Sequence, residues 1–408
     1  MRAQLKLFTP EAEENRSFVD ELVKFREQGR KTEIFVEHGI RYFVNEYWTA
    51  RQRQSHNLHE ISYRACFKAE LPRFFIERMT IENDIVYDPF MGRGTTLLEA
   101  ALLGRRVAGN DISPLSAMLI RPRLAPPRIV DIERRLSEIE WRYSPTAADR
   151  ELEVFYHAQT LNEILALKHW LIDRAHSGRL DLVDEWIRLV AINRLTGHSS
   201  GFFSVYTLPP NQAVSLESQR KINEKRRQIP DRRSVPAILL KKSRNLLSDG
   251  VPPPGRLERL MVGSASSTPS LGDGTVALIV TSPPFLDIVN YRQDNWLRCW
   301  FAGIDAATVA IDHHKTVHDW EAFVRRCLTE FVRIVRPGGH IAFEVGEVRG
   351  GRVLLERHVV AAASGLPLRL LGVMVNDQNF TKTANCWGVS NNKGGTNTNR
   401  IVVFQRDA

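Results

Sequence analysis

Cysteine is scarce in this chain and follows no pattern. The four cysteines in 408 residues, Cys66, Cys299, Cys327 and Cys386, stand far apart without C-x-x-C spacing. They argue for neither a disulfide framework nor a zinc site, and they suit a reducing cytoplasm. No apolar run approaches the roughly 20 residues that a helix needs to span a bilayer. The start, Met1 to Lys6, lacks the long apolar stretch of a secretory signal. The sequence therefore predicts a cytoplasmic protein with no membrane partner. His313, His314 and His318 have no partner at metal-ligand spacing, so no metal is expected. Internal repeats, low-complexity tracts and a nuclease-like carboxylate–lysine cluster are also lacking.

What is present is enough apolar residue, 43%, for a sizeable core, and a length that suits two or three domains. Ile85-Val86-Tyr87 is a short buried-strand run. Asp88-Pro89-Phe90-Met91-Gly92-Arg93-Gly94-Thr95-Thr96 leaves it as a glycine loop and opens an apolar helix running to Leu103. Gly92 and Gly94 allow a sharp turn and a close ligand approach. Thr95 or Thr96 is placed to cap the helix. A second strand, Arg106 to Asn110, ends in Asp111, followed by Ile112. That acid lies about twenty residues past the glycines, where a doubly wound nucleotide site puts a carboxylate on ribose hydroxyls. Far downstream, the apolar strand Val276–Val280 runs into Thr281-Ser282-Pro283-Pro284-Phe285. Taken alone, each string also reads as a plain turn.

Together the two strings resemble motifs I and IV of the amino-group DNA methyltransferases, which methylate exocyclic nitrogens of bases from S-adenosylmethionine. Serine at the head of Pro-Pro-Phe is the variant typical of the cytosine-N4 type. The resemblance implies a Rossmann-like α/β methyltransferase sheet, S-adenosylmethionine as cofactor and double-stranded DNA as partner. It also implies cofactor contacts from Asp88, Pro89, Phe90, Gly92, Gly94, Thr95, Thr96, Asp111, Ile112, Ser264 and Thr281, with Asp88 and Phe90 near the methionine end. Catalysis falls to Ser282, Pro283, Pro284 and Phe285. The amine of cytosine is a poor nucleophile because its lone pair is delocalised into the ring. Ser282 Oγ and the Pro283 carbonyl can each accept one of its hydrogens, the locked Pro-Pro φ angles fix that carbonyl, and Phe285 offers a stacking face. No charged nucleophile is required, so positioning and preorganised dipoles carry the rate.

Weaker marks follow in order. Met261-Val262-Gly263-Ser264-Ala265 stands where the family carries Gly-Asp-Ala, with serine replacing the acid near the adenine. Val335 to Phe343, with Pro337-Gly338-Gly339, resembles the turn into the fifth strand, although Pro-Gly-Gly is a good turn anywhere. His59 to Tyr63 and Lys68 to Pro72 resemble motif X, whose helix closes over the methionine moiety. Asn385 to Gly388 and Thr396 to Arg400 resemble the last hairpin, near the target base. Motif I precedes motif IV as in the family's alpha group, whereas the wording Asp-Pro-Phe and Ser-Pro-Pro is commoner in its beta group.

The formal net charge is +9, and residues 219–244 alone carry about +8. Arg220, Lys221, Lys225, Arg226, Arg227, Arg232, Arg233, Lys241, Lys242 and Arg244 face only Glu224 and Asp231 there. Such a run is either a solvated face or a phosphate-binding surface. His198, Phe202, Phe203 and Tyr206, just before it, are candidates to touch bases or equally to anchor a core. The expected organisation is a helical N-terminal extension (1–55, with a helix at 13–27) and a first half-sheet (56–128). A mostly helical, basic insertion for target recognition (129–255) and the remaining strands (256–408) follow. The leading expectation is a site-specific cytosine-N4 DNA methyltransferase, with a separate cognate restriction endonuclease as a possible partner. Its rivals are adenine-N6 methylation, an RNA base-amine methyltransferase and a non-catalytic DNA-binding protein on the same fold.

Overall fold

In a computed structural model of the chain, the apolar runs become neighbouring strands of one sheet. The structure describes residues 18–27, 29–48, 55–63, 66–207, 213–284, 291–309, 314, 316–348, 353–377 and 398–408. The strands are β1 (Glu33–Glu37), β2 (Ile40–Asn45), β3 (Ile85–Asp88), β4 (Arg106–Asp111), β5 (Leu257–Val262), β6 (Val276–Thr281), β7 (Val335–Val345), β8 (Leu368–Asp377) and β9 (Thr398–Arg406). Their order across the sheet is β1-β2-β8-β9-β7-β6-β3-β4-β5. From β7 to β5 the pairing is parallel, while β9 runs antiparallel between β7 and β8. All six residues of β6 are buried, as expected of a central strand covered on both faces.

The chain steps outward from β3 to β4 to β5, then returns to place β6 on the other side of β3. This reversal opens a crevice at the carboxyl ends of β3 and β6, where open α/β sheets receive ligands. Helices α1 (Glu70–Met79), α2 (Thr95–Leu102) and α3 (Pro114–Leu124) cover one face, over Val86, Val107, Leu278 and Val280. Between β4 and β5 the chain builds a helical module from α4 (Ile129–Glu138), α5 (Ala158–His176), α6 (Leu182–Arg194), α7 (Leu216–Arg226) and α8 (Val235–Leu246). Its core around Trp186, Phe155 and Phe203 is continuous with Leu98 of α2, Leu115 and Leu119 of α3, and Leu297 and Phe301 beyond β6. Helix α9 (Tyr291–Ala302) follows β6. Helices α10 (Val317–Ile334) and α11 (Leu355–Ala362) close the second face over Tyr87, Ala108 and Ile279. The alternation of neighbours such as Val86 and Tyr87 between the two faces is the period-2 rule of a strand.

The N-terminal extension departs from expectation. Only residues 18–24 of its described part are helical; the rest forms strands, and β1 and β2 join the main sheet. The physical reason lies in two β-branched and aromatic runs joined by His38-Gly39. Both turn residues take positive φ, 49° and 76°, as a tight two-residue hairpin requires. The Pro337-Gly338-Gly339 stretch is a register irregularity inside β7, not a turn before it: Val276 pairs with Val335, yet Leu278 pairs with His340. The residue pairs His313 and Cys386, and the 385–388 half of the last hairpin, lie outside the described residues, whereas Thr398 to Arg400 begin β9.

Candidate functional site

The crevice at the strand ends is a cleft walled by the two sequence strings together. Asp88, Pro89, Phe90, Gly92 and Thr95 line it from the glycine loop. Asp111 and Ile112 line it from the end of β4, Ser264 from the turn after β5, and Ser282 and Pro284 from the turn after β6. The two acids are held differently. Asp111 Oδ2 accepts the Gly92 N–H and its Oδ1 accepts the Ser113 N–H, both at 2.9 Å. Burial pushes its carboxyl above the ordinary range against those bonds. Asp88 Oδ1 accepts the Thr281 hydroxyl at 2.6 Å and the Phe90 N–H at 3.1 Å. Burial nevertheless raises it to about 7.

The two glycines have separate duties. Gly92, at φ +47°, faces the cleft, and a Cβ there would come no nearer than 3.7 Å to Tyr63. Gly94 sits at the N-cap of α2 with φ +77°, and a Cβ there would lie 2.3 Å from Ile120. Gly94 therefore serves the packing of α2 on α3, not ligand approach. Neither threonine caps the helix as expected. Thr95 Oγ1 accepts from Arg93, and Thr96 donates to the Val280 carbonyl at 3.1 Å, tying α2 to β6. Gly94, Thr96, Thr281 and Pro283 thus shape the cleft from behind, and Phe285 lies outside the described residues.

The chemistry of the wall fits a nucleoside carrying a cationic tail. Phe90, Ile112, Tyr63 of the motif X stretch and the unforeseen Phe67 offer apolar faces, while Asp88 and Asp111 offer acceptors. Tyr63 and Phe67 belong to a strap before α1. Arg93 donates to the Ile61 carbonyl at 2.8 Å and Phe67 carbonyl at 3.3 Å, and Arg298 to the Ser62 carbonyl at 2.9 Å. Of the stretch that resembles motif X, His59 ends a 3₁₀ turn, Asn57–His59, and Glu70, Leu71 and Pro72 open α1. Arg292, Asn295 and Cys299 of α9 complete the wall.

Around Ser282, register supplies what the sequence did not reveal. Thr281 pairs with Phe343 on β7, so Ser282 stands level with Glu344. Ser282 lies close enough to the Glu344 carboxylate to lower its titration. Asn399 Nδ2 donates to Glu344 Oε1 at 2.9 Å from β9. Burial pushes Glu344 up, and Ser282 and Asn399 pull against it. The Trp320 indole donates to the Pro284 carbonyl at 2.9 Å, fixing the Pro-Pro pair. No periodicity or spacing points to Glu344, because its role depends on a strand pairing made over sixty residues away.

The candidate DNA residues divide. Arg220, Lys221, Lys225, Arg226, Arg227, Arg232, Lys241, Arg244 and His198 are exposed, and Tyr206 is half-buried. Two cations are structural instead. Arg233 binds Asp231 and the carbonyls of Ser199 and Phe202, and Lys242 binds Glu60 at 2.7 Å. Phe202 and Phe203 are buried, at 6% and 0% exposure, and act as core anchors. Among the described residues no helix is long and apolar enough to cross a membrane.

Comparison with known proteins gives a consistent set of likenesses. The family described as DNA methylase matches residues 10–119. The Type II methyltransferase M.BsoBI of Geobacillus stearothermophilus is 25% identical over 306 residues, covering 67% of this chain and 57% of that protein. The Type II methyltransferase M.MvaI of Kocuria varians is 35% identical over 98 residues, covering 23% of this chain and 20% of that protein. The chain therefore spans little more than half of the first relative's length and a fifth of the second's. A solved SAM-dependent methyltransferase from Methanosarcina mazei shares 10% identity, with 82% of this chain and 97% of that chain covered and a TM-score of 0.34.

Proposed function

We propose that this chain, which belongs to the amino-group DNA methyltransferase family, transfers a methyl group from S-adenosylmethionine to the N4 amine of a cytosine flipped out of double-stranded DNA. The observation that carries the reading is that Ser282 and Pro284 line the same cleft as Asp88, Gly92 and Asp111. Ser282 Oγ carries lone pairs, and a lone pair is what an amino hydrogen needs.

S-Adenosylmethionine, when bound, supplies an electrophilic methyl group on a sulfonium. Asp111 would hold its ribose, Asp88 and Phe90 its methionine end, and Ile112 and Ser264 its base. Ser282 accepts one hydrogen of the target amine and the Pro283 carbonyl the other, which turns the nitrogen lone pair toward the methyl group. Trp320 keeps the Pro-Pro segment from yielding as the amine pyramidalises. Both acceptors are preorganised, so little reorientation is needed during reaction. Residues 129–255 recognise the target, and a separate restriction endonuclease is the partner against which such methylation protects DNA.

The test is to incubate the protein with labelled S-adenosylmethionine and mixed DNA, then digest to nucleosides. N4-Methylcytosine is the expected product. N6-Methyladenine alone would overturn the base assignment, and an unlabelled digest would overturn the activity.

A further inference from the structure

Ile229 is 87% exposed, the barest large apolar side chain among the described residues. Exposure of one isoleucine is ordinary; its setting is not. It sits in the loop between α7 and α8, with Lys225, Arg226, Arg227 and Arg232 exposed around it and Pro230 next to it. The loop is braced on both sides. Arg227 takes a left-handed conformation, φ +51°, to end α7. Gln228 Nε2 donates to the Tyr206 carbonyl at 2.9 Å and to Asn223 Oδ1 at 2.7 Å. Arg226 stacks over the Tyr206 ring at 3.6 Å. Past the tip, the Arg233 N–H donates to Thr160 Oγ1 at 2.8 Å, while its guanidinium holds Asp231 and the carbonyls of Ser199 and Phe202.

The result is a stiff, cationic projection tipped by one branched aliphatic side chain and a proline. A protein surface for another protein would spread its apolar area, and one for phosphate alone would need none. An apolar wedge among cations matches the stacked interior and charged rim of a nucleic acid duplex. Position agrees. The Ala213 N–H donates to the Asp294 carbonyl and the Trp296 indole to the Val214 carbonyl, so the chain enters α7 from α9, the helix that walls the cleft. The eleven residues of α7 then span about 16 Å, less than the width of a duplex. Beside the tip, Arg232 lines a groove with Trp141, Arg142, Tyr143, Gln159 and Asn162, side chains suited to sugars and base edges.

We propose that Ile229 is a wedge that the α7–α8 loop drives between stacked base pairs, unstacking a duplex that the neighbouring cations hold. This rests on the reading of the protein as one that acts on DNA, and it assigns the energy of opening the duplex to a residue outside the cleft. Because Ile229 is solvent-exposed, Ile229→Ala leaves the fold intact.

The test uses closed circular plasmid relaxed by a topoisomerase under saturating full-length protein, with binding measured on the same DNA. Wild type unwinds the plasmid and shifts its topoisomers; Ile229→Ala binds with the same salt dependence but gives no shift, and Ile229→Leu restores it. In parallel, transfer from labelled S-adenosylmethionine to phage duplex falls about tenfold or more in Ile229→Ala, while transfer to the heat-denatured DNA, which has no stack to open, is unchanged. Wild type that binds without unwinding, or Ile229→Ala that unwinds equally, overturns the wedge. Either result alongside normal methyl transfer leaves the proposed function standing, whereas unwinding without any methyl transfer sinks that function and keeps the wedge.

Discussion

The Thr281 hydroxyl donates to Asp88 Oδ1 across 2.6 Å, in a fully buried contact between residues 193 positions apart. It joins the last residue of β6 to the last residue of β3 and thereby locks the base side of the cleft to the cofactor side. Thr281→Val keeps the shape and removes the donor, so the buried carboxyl loses a bond that favours its charged form. We expect the Asp88 titration to move further up and S-adenosylmethionine affinity at pH 7 to fall about tenfold to a hundredfold, as for a lost hydrogen bond to a charged group. Calorimetry giving the wild-type affinity would show that the bond does not couple the two sides.

Asp88 also sets a pH dependence. Its folded-state value of about 7 lies above the ordinary aspartate value of 3.8. The folded protein therefore keeps that proton longer than the unfolded chain, and the stability this gives, complete below pH 3.8, is lost as pH rises toward about 7. Binding of a cationic methionine end runs the opposite way, since it wants the carboxylate. Cofactor affinity should rise between pH 6 and 8, and Asp88→Asn should flatten both profiles. Thermal melts and titrations across that range are the check.

Ser282→Ala should lower turnover by roughly two to three orders of magnitude, the range for one oriented polar contact at a reacting centre. Glu344→Gln, which keeps a polar neighbour beside Ser282, should cost less than Glu344→Ala, which removes it. Cofactor affinity should change little in all three. Single-turnover rates with the cofactor bound separate these cases, and a Glu344→Ala protein with full turnover would detach Glu344 from the reaction.

The glycines should part company. Gly94→Ala forces a Cβ to within 2.3 Å of Ile120 at φ +77° and should lower the melting temperature. Gly92→Ala meets nothing closer than 3.7 Å, so its stability cost is only that of a left-handed residue, about 1–2 kcal/mol. Its larger effect should be on cofactor affinity, because the new methyl projects into the cleft. Equal affinity in wild type and Gly92→Ala would remove that face from the binding site.

Reversing Arg227 and Arg232 to Glu should weaken duplex binding and flatten its salt dependence without changing the melting temperature. Arg233→Ala should do the reverse, destabilising the module by stripping three loop acceptors of their donor. Binding isotherms at several salt concentrations, paired with melts, distinguish a phosphate contact from a brace.

How much of this was legible beforehand depended on whether a residue's role is local. Asp88 to Thr96 and Thr281 to Pro284 could be read because a turn and the strand before it carry their own signal, and the two strings do meet at one cleft. The division of labour between Gly92 and Gly94 could not, since it is set by Ile120 on another helix. Arg233 and Lys242 counted as free cations in the sequence and are committed to carbonyls and to Glu60 in the fold. The hairpin of β1 and β2 was legible in principle from His38-Gly39 between two β-rich runs, but an adjoining helical pattern drew the whole extension toward helix. Glu344 was beyond reach, because only the β6–β7 register sets it beside Ser282.

The separation of β4 from β5 by the helical module has a consequence for synthesis. As the chain leaves the ribosome, β4 emerges with its outer edge bare. The Val107 N–H must wait for the Arg256 carbonyl, which it meets at 2.8 Å in the finished protein. An uncovered strand edge held open across so long a delay invites pairing with a neighbouring nascent chain. The module packs on Leu98, Leu115 and Leu119 of the already emerged α2 and α3, and because α8 leads toward β5, its docking brings the missing strand to the waiting edge and shortens the exposure.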